Sequence, residues 1–304
     1  MKTELRARRT LDPEVAKRVA NLSLTARRAV EGLLSGMHRS PHRGASVVFV
    51  EHREYRPGDD LRLLDWRAYA RSDRHTIKRF EQETQLRATL VLDVSGSMAF
   101  GTAPGPTKGE HAATLLAALA LVLVRQGDAV GLVRFDREAG DALPPRSRPQ
   151  HLELVFEELA LPAERGEPTD LRASLRAVAE RAGRRGVVVI ASDFLDLHDD
   201  ALTPIDQLVH RGHDVIAMQV MHPEELELAG DGPTRFVGLE GEEDVEVDPE
   251  ALREAYRREL EAFLDRTRAR CTAAGARYRL VRTDEPVERV LAEMLAGGGR
   301  RKWA

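Results

Sequence analysis

Asp93, Ser95 and Ser97 alternate along one short segment, Asp93-Val94-Ser95-Gly96-Ser97, and two more oxygen-bearing residues, Thr169 and Asp193, follow downstream. Together they offer two carboxylates and three hydroxyls, all of them hard oxygen donors. Such a set suits Mg²⁺ or Mn²⁺ in octahedral geometry and does not suit Zn²⁺, which prefers nitrogen and sulfur. With the hydroxyls bound directly and the carboxylates acting partly through water, an ion here stays electron-poor. It then favours an anionic ligand from outside, most simply a carboxylate. Each piece also has a plainer explanation, since Asp, Ser and Gly are ordinary turn residues and Thr169 or Asp170 can cap a helix. The three segments gain weight by arriving together and in order.

Other chemistry is poorly provided for. Aspartate-nucleophile phosphatases also place an aspartate after a first strand, with a second, acid aspartate two residues on; here that position is Ser95. The ten histidines are scattered, with no HExxH pair, and neither GxSxG nor GxxxxGK[ST] occurs. The single cysteine, Cys271, excludes an intramolecular disulfide or a cysteine metal cage. No catalytic residue and no organic cofactor site is assigned, so the chain reads as a non-enzyme. A metal-dependent hydrolase of phosphate esters is the alternative. His111, close in sequence to Ser97, reads as a packed histidine and Cys271 as a small core residue.

The elements that must position these residues alternate. Apolar strands are predicted over 88–92, 129–135, 186–192, 214–220 and 277–281, and helices over 110–125, 152–159, 170–182, 204–210, 249–271 and 286–295. Helix 110–125 is apolar nearly all round, which in a soluble protein means burial against a sheet. Continuous apolar strands alternating with helices indicate a parallel sheet covered on both faces. In open sheets of this kind ligands bind beyond the carboxyl ends of the strands. Asp93 to Ser97 and Ser192-Asp193 lie at two such ends, and Thr169 just precedes helix 170–182. Residues 235–247 interrupt the alternation as a hairpin with its turn at Glu240-Gly241.

Upstream, Asp12-Pro13 opens a helix with Val15, Val19, Leu22, Ala26, Val30 and Leu33 at helical spacing. A strand is predicted over 46–51, then a charged block over 51–83 with a turn at Pro57-Gly58-Asp59-Asp60. Trp66 reads as a buried anchor within it. The organisation is an N-terminal helix and charged segment, 1–86, packing on an α/β domain, 87–299, with a hairpin insertion near 234–248.

Composition fits a folded globular protein: 304 residues, 42% hydrophobic and 32% charged. The net charge of −4 is unevenly spread, with 19 Lys/Arg against 12 Asp/Glu in residues 1–90. Only five of the 46 basic residues are lysine, so single arginines are weak indicators of function. The charged block interleaves acids with its arginines, unlike a phosphate-binding surface, so nucleic acid is not the expected partner. An ion-pair network fastening the block to the sheet and a docking surface both remain open. The N-terminus has no apolar run, and the longest apolar stretch, 112–124, falls short of the ~20 residues a membrane span needs. A cytoplasmic protein without a membrane span is expected.

The pattern Asp93-x-Ser95-x-Ser97 with Thr169 and Asp193 resembles the metal-ion-dependent adhesion site of von Willebrand factor A domains. Residues 51–67, EHREYRPGDDLRLLDWR, with Ala70-Arg71 and KRFEQE at 78–83, resemble the signature of the bacterial domain of unknown function 58 family in its short, soluble form. VEVDP at 245–249 and RTDEP at 282–286 fit it too, so the similarity spans roughly 14–296. The resemblance implies a von Willebrand factor A-like doubly wound, mostly parallel sheet with helices on both faces. It also implies a metal-dependent protein–protein interaction module, an adaptor or co-chaperone for a MoxR-type AAA+ ATPase or its client. Many relatives carry two N-terminal membrane helices, which are not expected here.

Overall fold

The computed structural model describes residues 13–37, 49–54, 76–80, 85–136, 140, 142–162, 170–183, 185–195, 202–228, 232–239 and 243–296. Thr169, Trp66, most of the charged block and the expected turn at Glu240-Gly241 lie outside them.

A six-stranded sheet forms the centre. Its strands are β3 (Arg87–Asp93), β4 (Ala129–Phe135), β5 (Leu143–Arg146), β6 (Val187–Ser192), β7 (Asp214–Met221) and β10 (Arg277–Arg282), in the order β10-β7-β6-β3-β4-β5. All neighbours run parallel except β5, which returns antiparallel to β4. Strand β5 reads LPPR and was not foreseen, because two prolines argue against a strand. At a sheet edge they are tolerated, since the missing N–H groups can face away from the ladder.

Period-two alternation splits each strand between two cores. Leu90, Leu92, Val187, Val189, Ala191, Met218 and Val220 face one side, and Val91, Val133, Val188, Ile190, Val215 and Ala217 face the other. The first side is covered by α2 (Lys108–Arg125), with α1 (Pro13–Met37), α3 (Pro149–Leu159) and α8 (Val287–Ala296) packed beyond it. Helix α2 therefore has a sheet on one flank and helices on another, the physical reason it is apolar nearly all round. The second side is covered by α4 (Leu171–Arg181), α5 (Thr203–His210) and α7 (Pro249–Ala273). Helix α1 earns its place through Leu22, Ala26, Ala29, Val30 and Leu33, all buried in the same core as α2.

Away from the sheet, β1 (Phe49–Glu54) pairs antiparallel with β2 (Thr76–Phe80). The strand expected over 46–51 thus runs over 49–54. Its partner lay unrecognised inside the charged block, where charge masked the strand pattern. A short helix, α6 (Pro223–Glu227), follows β7, and β8 (Thr234–Phe236) pairs antiparallel with β9 (Val245–Val247) before α7. No helix among the described residues is long and apolar enough to cross a membrane.

Candidate functional site

Strands β3 and β6 are parallel neighbours with Leu92 opposite Ala191, so Asp93 and Asp193 emerge at one edge of the sheet. Both side chains are buried, each only 2% exposed. Asp93 Oδ1 accepts the Ser95 N–H at 3.0 Å, an Asx turn that bends the chain as it leaves the strand. Its Oδ2 accepts the Ser192 hydroxyl at 2.6 Å. The turn carries Ser95 and Ser97 round so that their Oγ atoms lie 3.1 Å apart. A 3-10 turn over Ser97–Ala99 then leads away. Two ligands at adjacent corners of an Mg²⁺ octahedron, with bonds of about 2.1 Å, lie about 3 Å apart. The two hydroxyls, hydrogen-bonded to each other, have that spacing.

The electrostatics favour a cation. Burial, and after it the neighbouring Asp193, pushes the Asp93 carboxyl up to about 7, against the lowering effect of its hydrogen bonds from Ser192 and Ser95. A cation at this edge would keep Asp93 ionised.

Asp193 has a partner that sequence reasoning missed. The Lys108 ammonium, wholly buried, donates to Asp193 Oδ2 at 2.7 Å and to Glu225 Oε1 at 2.7 Å. Asp193 Oδ1 accepts the Leu195 N–H at 3.2 Å. The Asp193 carbonyl accepts from Gln219 Nε2 at 2.9 Å, and Gln219 Oε1 accepts the Tyr278 hydroxyl at 2.7 Å. Between them Phe194 adopts φ 59°, a left-handed conformation unusual for a bulky residue. Its buried ring and the bond from its N–H to Ser192 Oγ, 2.9 Å, hold it there.

Local structure delivers Lys108. A capping box closes the start of α2: the Thr107 hydroxyl accepts the Glu110 N–H, and the Glu110 carboxylate accepts the Thr107 N–H. The preceding loop folds back so that Lys108 N–H donates to the Phe100 carbonyl at 2.9 Å. Gly101 permits this approach, for a Cβ there would sit 2.6 Å from Thr107 Cα. A signal for Lys108 did exist in the sequence: a rare lysine in an arginine-rich chain, at the head of an apolar helix.

Of the five expected oxygen residues, four are thus brought to one edge, and Thr169 lies outside the described residues. Asp170 caps α4, its carboxylate accepting the Ala173 N–H at 2.7 Å. His111 is buried in α2 with Nε2 lacking a hydrogen-bond partner among the described residues. Burial pushes it down to about 4, and Glu285 and Asp284 only partly oppose that. Among the described residues no group of three or more His, Cys, Asp or Glu side chains is placed to hold a metal ion by itself. The donors at this edge are therefore a carboxylate pair and hydroxyls. A cleft of about 360 Å³ opens beside Asp93, between α1 and the start of α2, with Arg18, Thr25, Glu110 and Leu159 in its walls.

Residues 51–266 match the family described as Protein of unknown function DUF58. An uncharacterized protein of Mycobacterium tuberculosis is 30% identical over 277 residues, covering 90% of this chain and 86% of its own length. Another from Bacillus subtilis, YeaD, is 27% identical over 120 residues, 40% of this chain and 28% of its own. Among solved structures, a conserved hypothetical protein, BatB, from Bacteroides thetaiotaomicron is similar over 70% of this chain and 98% of its own, at 16% identity and a TM-score of 0.46.

Proposed function

This chain belongs to the DUF58 family, and from that premise we propose that its β3–β6 edge is the metal-ion-dependent adhesion site of a von Willebrand factor A-like domain. The protein is then a non-enzymatic interaction module that binds a partner's carboxylate through Mg²⁺ or Mn²⁺. The observation that carries this is the hydroxyl pair of Ser95 and Ser97, 3.1 Å apart beside the buried carboxyl of Asp93. Asp93, Ser95 and Ser97 would hold the ion, with Thr169 completing the set and Asp193 acting through water. Bound there, the ion supplies a positive centre able to take one anionic oxygen from outside. The partner proposed, on the family resemblance alone, is a MoxR-type AAA+ ATPase or its client.

Calorimetric titration with Mg²⁺ and Mn²⁺ tests the site. Binding is expected in the wild type and should vanish in Asp93→Ala; unchanged affinity in that variant removes Asp93 from the site. Association with the ATPase should need the divalent ion and fail in Ser97→Ala. If association persists in EDTA, the carboxylate bridge is wrong. The interface then belongs on the charged block around 53–79, where salt, not chelation, weakens binding.

One observation favours the hydrolase alternative: Asp93 borders a cleft and its carboxyl sits near neutrality, the range of a general base. Against this, Glu110, the cleft's other carboxylate, already caps the Thr107 N–H. Turnover of p-nitrophenyl phosphate in Mn²⁺, lost in Asp93→Ala, would reverse the preference.

A further inference from the structure

We propose that Lys108 is a positioning residue for the ion. Its ammonium is a built-in counter-ion that keeps Asp193 out of the ion's inner shell and ties the ion's charge to Glu225. This rests on the ion site proposed above, but on observations of its own.

Lysine is almost never fully buried unless paired, and Lys108 has no exposed surface. Its position is also the wrong one for a free cation. It is the first residue of α2, where the helix dipole disfavours positive charge. The carboxylates of Asp193 and Glu225, each 2.7 Å from Nζ, outweigh both penalties. The Phe100 ring, 6.0 Å from Nζ, adds an electron-rich face. Burial alone would push the ammonium down, yet the two carboxylates hold it above the ordinary lysine range.

The consequence for an ion follows from the oxygens. Both oxygens of Asp193 are engaged, Oδ2 by a full positive charge and Oδ1 by the Leu195 N–H. A divalent ion binding Oδ2 directly would face the ammonium across a single oxygen. Oδ1 of Asp193 keeps a lone pair, as the Asp93 oxygens do, but its carboxylate already neutralises the ammonium, whereas the donors to Asp93 are neutral. Inner-shell binding therefore falls to Asp93 and the hydroxyls.

Charge balance points the same way. Lys108 cancels one of the two carboxylates it touches, so the cluster of Asp93, Asp193, Glu225 and Lys108 is less negative than its acids alone would make it. That lowers affinity for the ion and leaves more of the ion's charge for a partner's carboxylate. The same contact reaches outward from the site. Glu225 Oε2 accepts the His222 N–H at 2.9 Å at the start of α6, and the Glu225 carbonyl accepts the Tyr256 hydroxyl, on α7, at 2.6 Å. The ion, through Asp193 and Lys108, is thereby linked to α6 and α7.

The test is Mn²⁺ titration of the full chain by calorimetry, with thermal unfolding in EDTA and in Mn²⁺. Lys108→Met, which keeps the length and removes the charge, should bind Mn²⁺ at least roughly tenfold more tightly than wild type, because a like charge is removed at close range. Its melting temperature should fall in EDTA and recover with Mn²⁺, while the wild type changes far less. If Lys108→Met does not fold, Lys108→Met/Glu225→Gln removes the orphaned carboxylate as well, and it should bind Mn²⁺ more tightly than Glu225→Gln alone. Unchanged or weaker affinity in both comparisons makes Lys108 a structural pin and overturns the inference, leaving the ion site standing. Absence of binding in the wild type and in every variant overturns both. Binding that appears only when Lys108 is replaced overturns the inference, since the wild type then has no ion for Lys108 to position, and removes the ion-bridged partner.

Discussion

At the scale of single residues, the two aspartates are not equivalent. Asp93 is buried beside Asp193 with only neutral donors, whereas Asp193 neutralises a buried ammonium. In EDTA, Asp93→Asn should unfold at the wild-type denaturant midpoint or above it. Asp193→Asn should lose about 3–5 kcal/mol, because Lys108 keeps its charge and loses a partner. Urea denaturation of the two variants checks this; equal losses would show that the sites share one role. Cys271 has a simpler fate. Buried, with its thiol pushed up to about 12 by that burial, it should resist Ellman's reagent until the chain unfolds. Rapid modification of the native protein would place it at a mobile surface instead.

At the scale of elements, α2 connects the two ends of the molecule's logic. Its apolar spacing was readable because a helix buried on several sides needs no polar face. What covers it was not readable, since many amphipathic helices have the right stripe. The structure assigns that cover to α1, α3 and α8. Val30 on α1 is 1% exposed, whereas Leu34, one turn on, is 46% exposed. Val30→Ala should therefore cost about 1–3 kcal/mol, and Leu34→Ala almost nothing. Denaturant midpoints of the pair measure the difference, and a silent Val30→Ala would detach α1 from the core. The strands β2 and β5 escaped sequence reading for opposite reasons. In β2 charge obscured the pattern, and in β5 proline contradicted it although the edge position tolerates it.

At the scale of the whole molecule, stability should respond to pH through two buried groups that pull in opposite directions. The His111 ring is held down to about 4, so only the unfolded chain takes its proton near 6.5. That contribution is lost as pH falls from 6.5 towards 4. Asp93 is held up to about 7, so the folded chain takes this proton first. Its contribution grows as pH falls from about 7 towards 3.8. In EDTA the two oppose each other across the shared window. On acidification from above 7 to the middle of that window, Asp93→Asn should lose more stability than wild type and His111→Leu should lose less. Urea midpoints at the two pH values decide it; identical shifts in all three proteins would mean that neither group governs the response.

Several features of this protein were set by sequence alone. Apolar runs and near-continuous helical stripes specify their elements locally, so the five parallel strands and the helices around them were legible. The segment from Asp93 to Ser97 was legible for the same reason, because one turn contains all its spacing. Only the tertiary structure decided the rest. Lys108 meets Asp193 across 85 positions and Glu225 across 117, and no local pattern encodes such a meeting. It arises because β3 and β6 lie side by side and α2 starts beneath their carboxyl ends. Burial then converts those neighbours into strong electrostatic partners, since a charge removed from water must find its counter-charge in whatever the fold brings near.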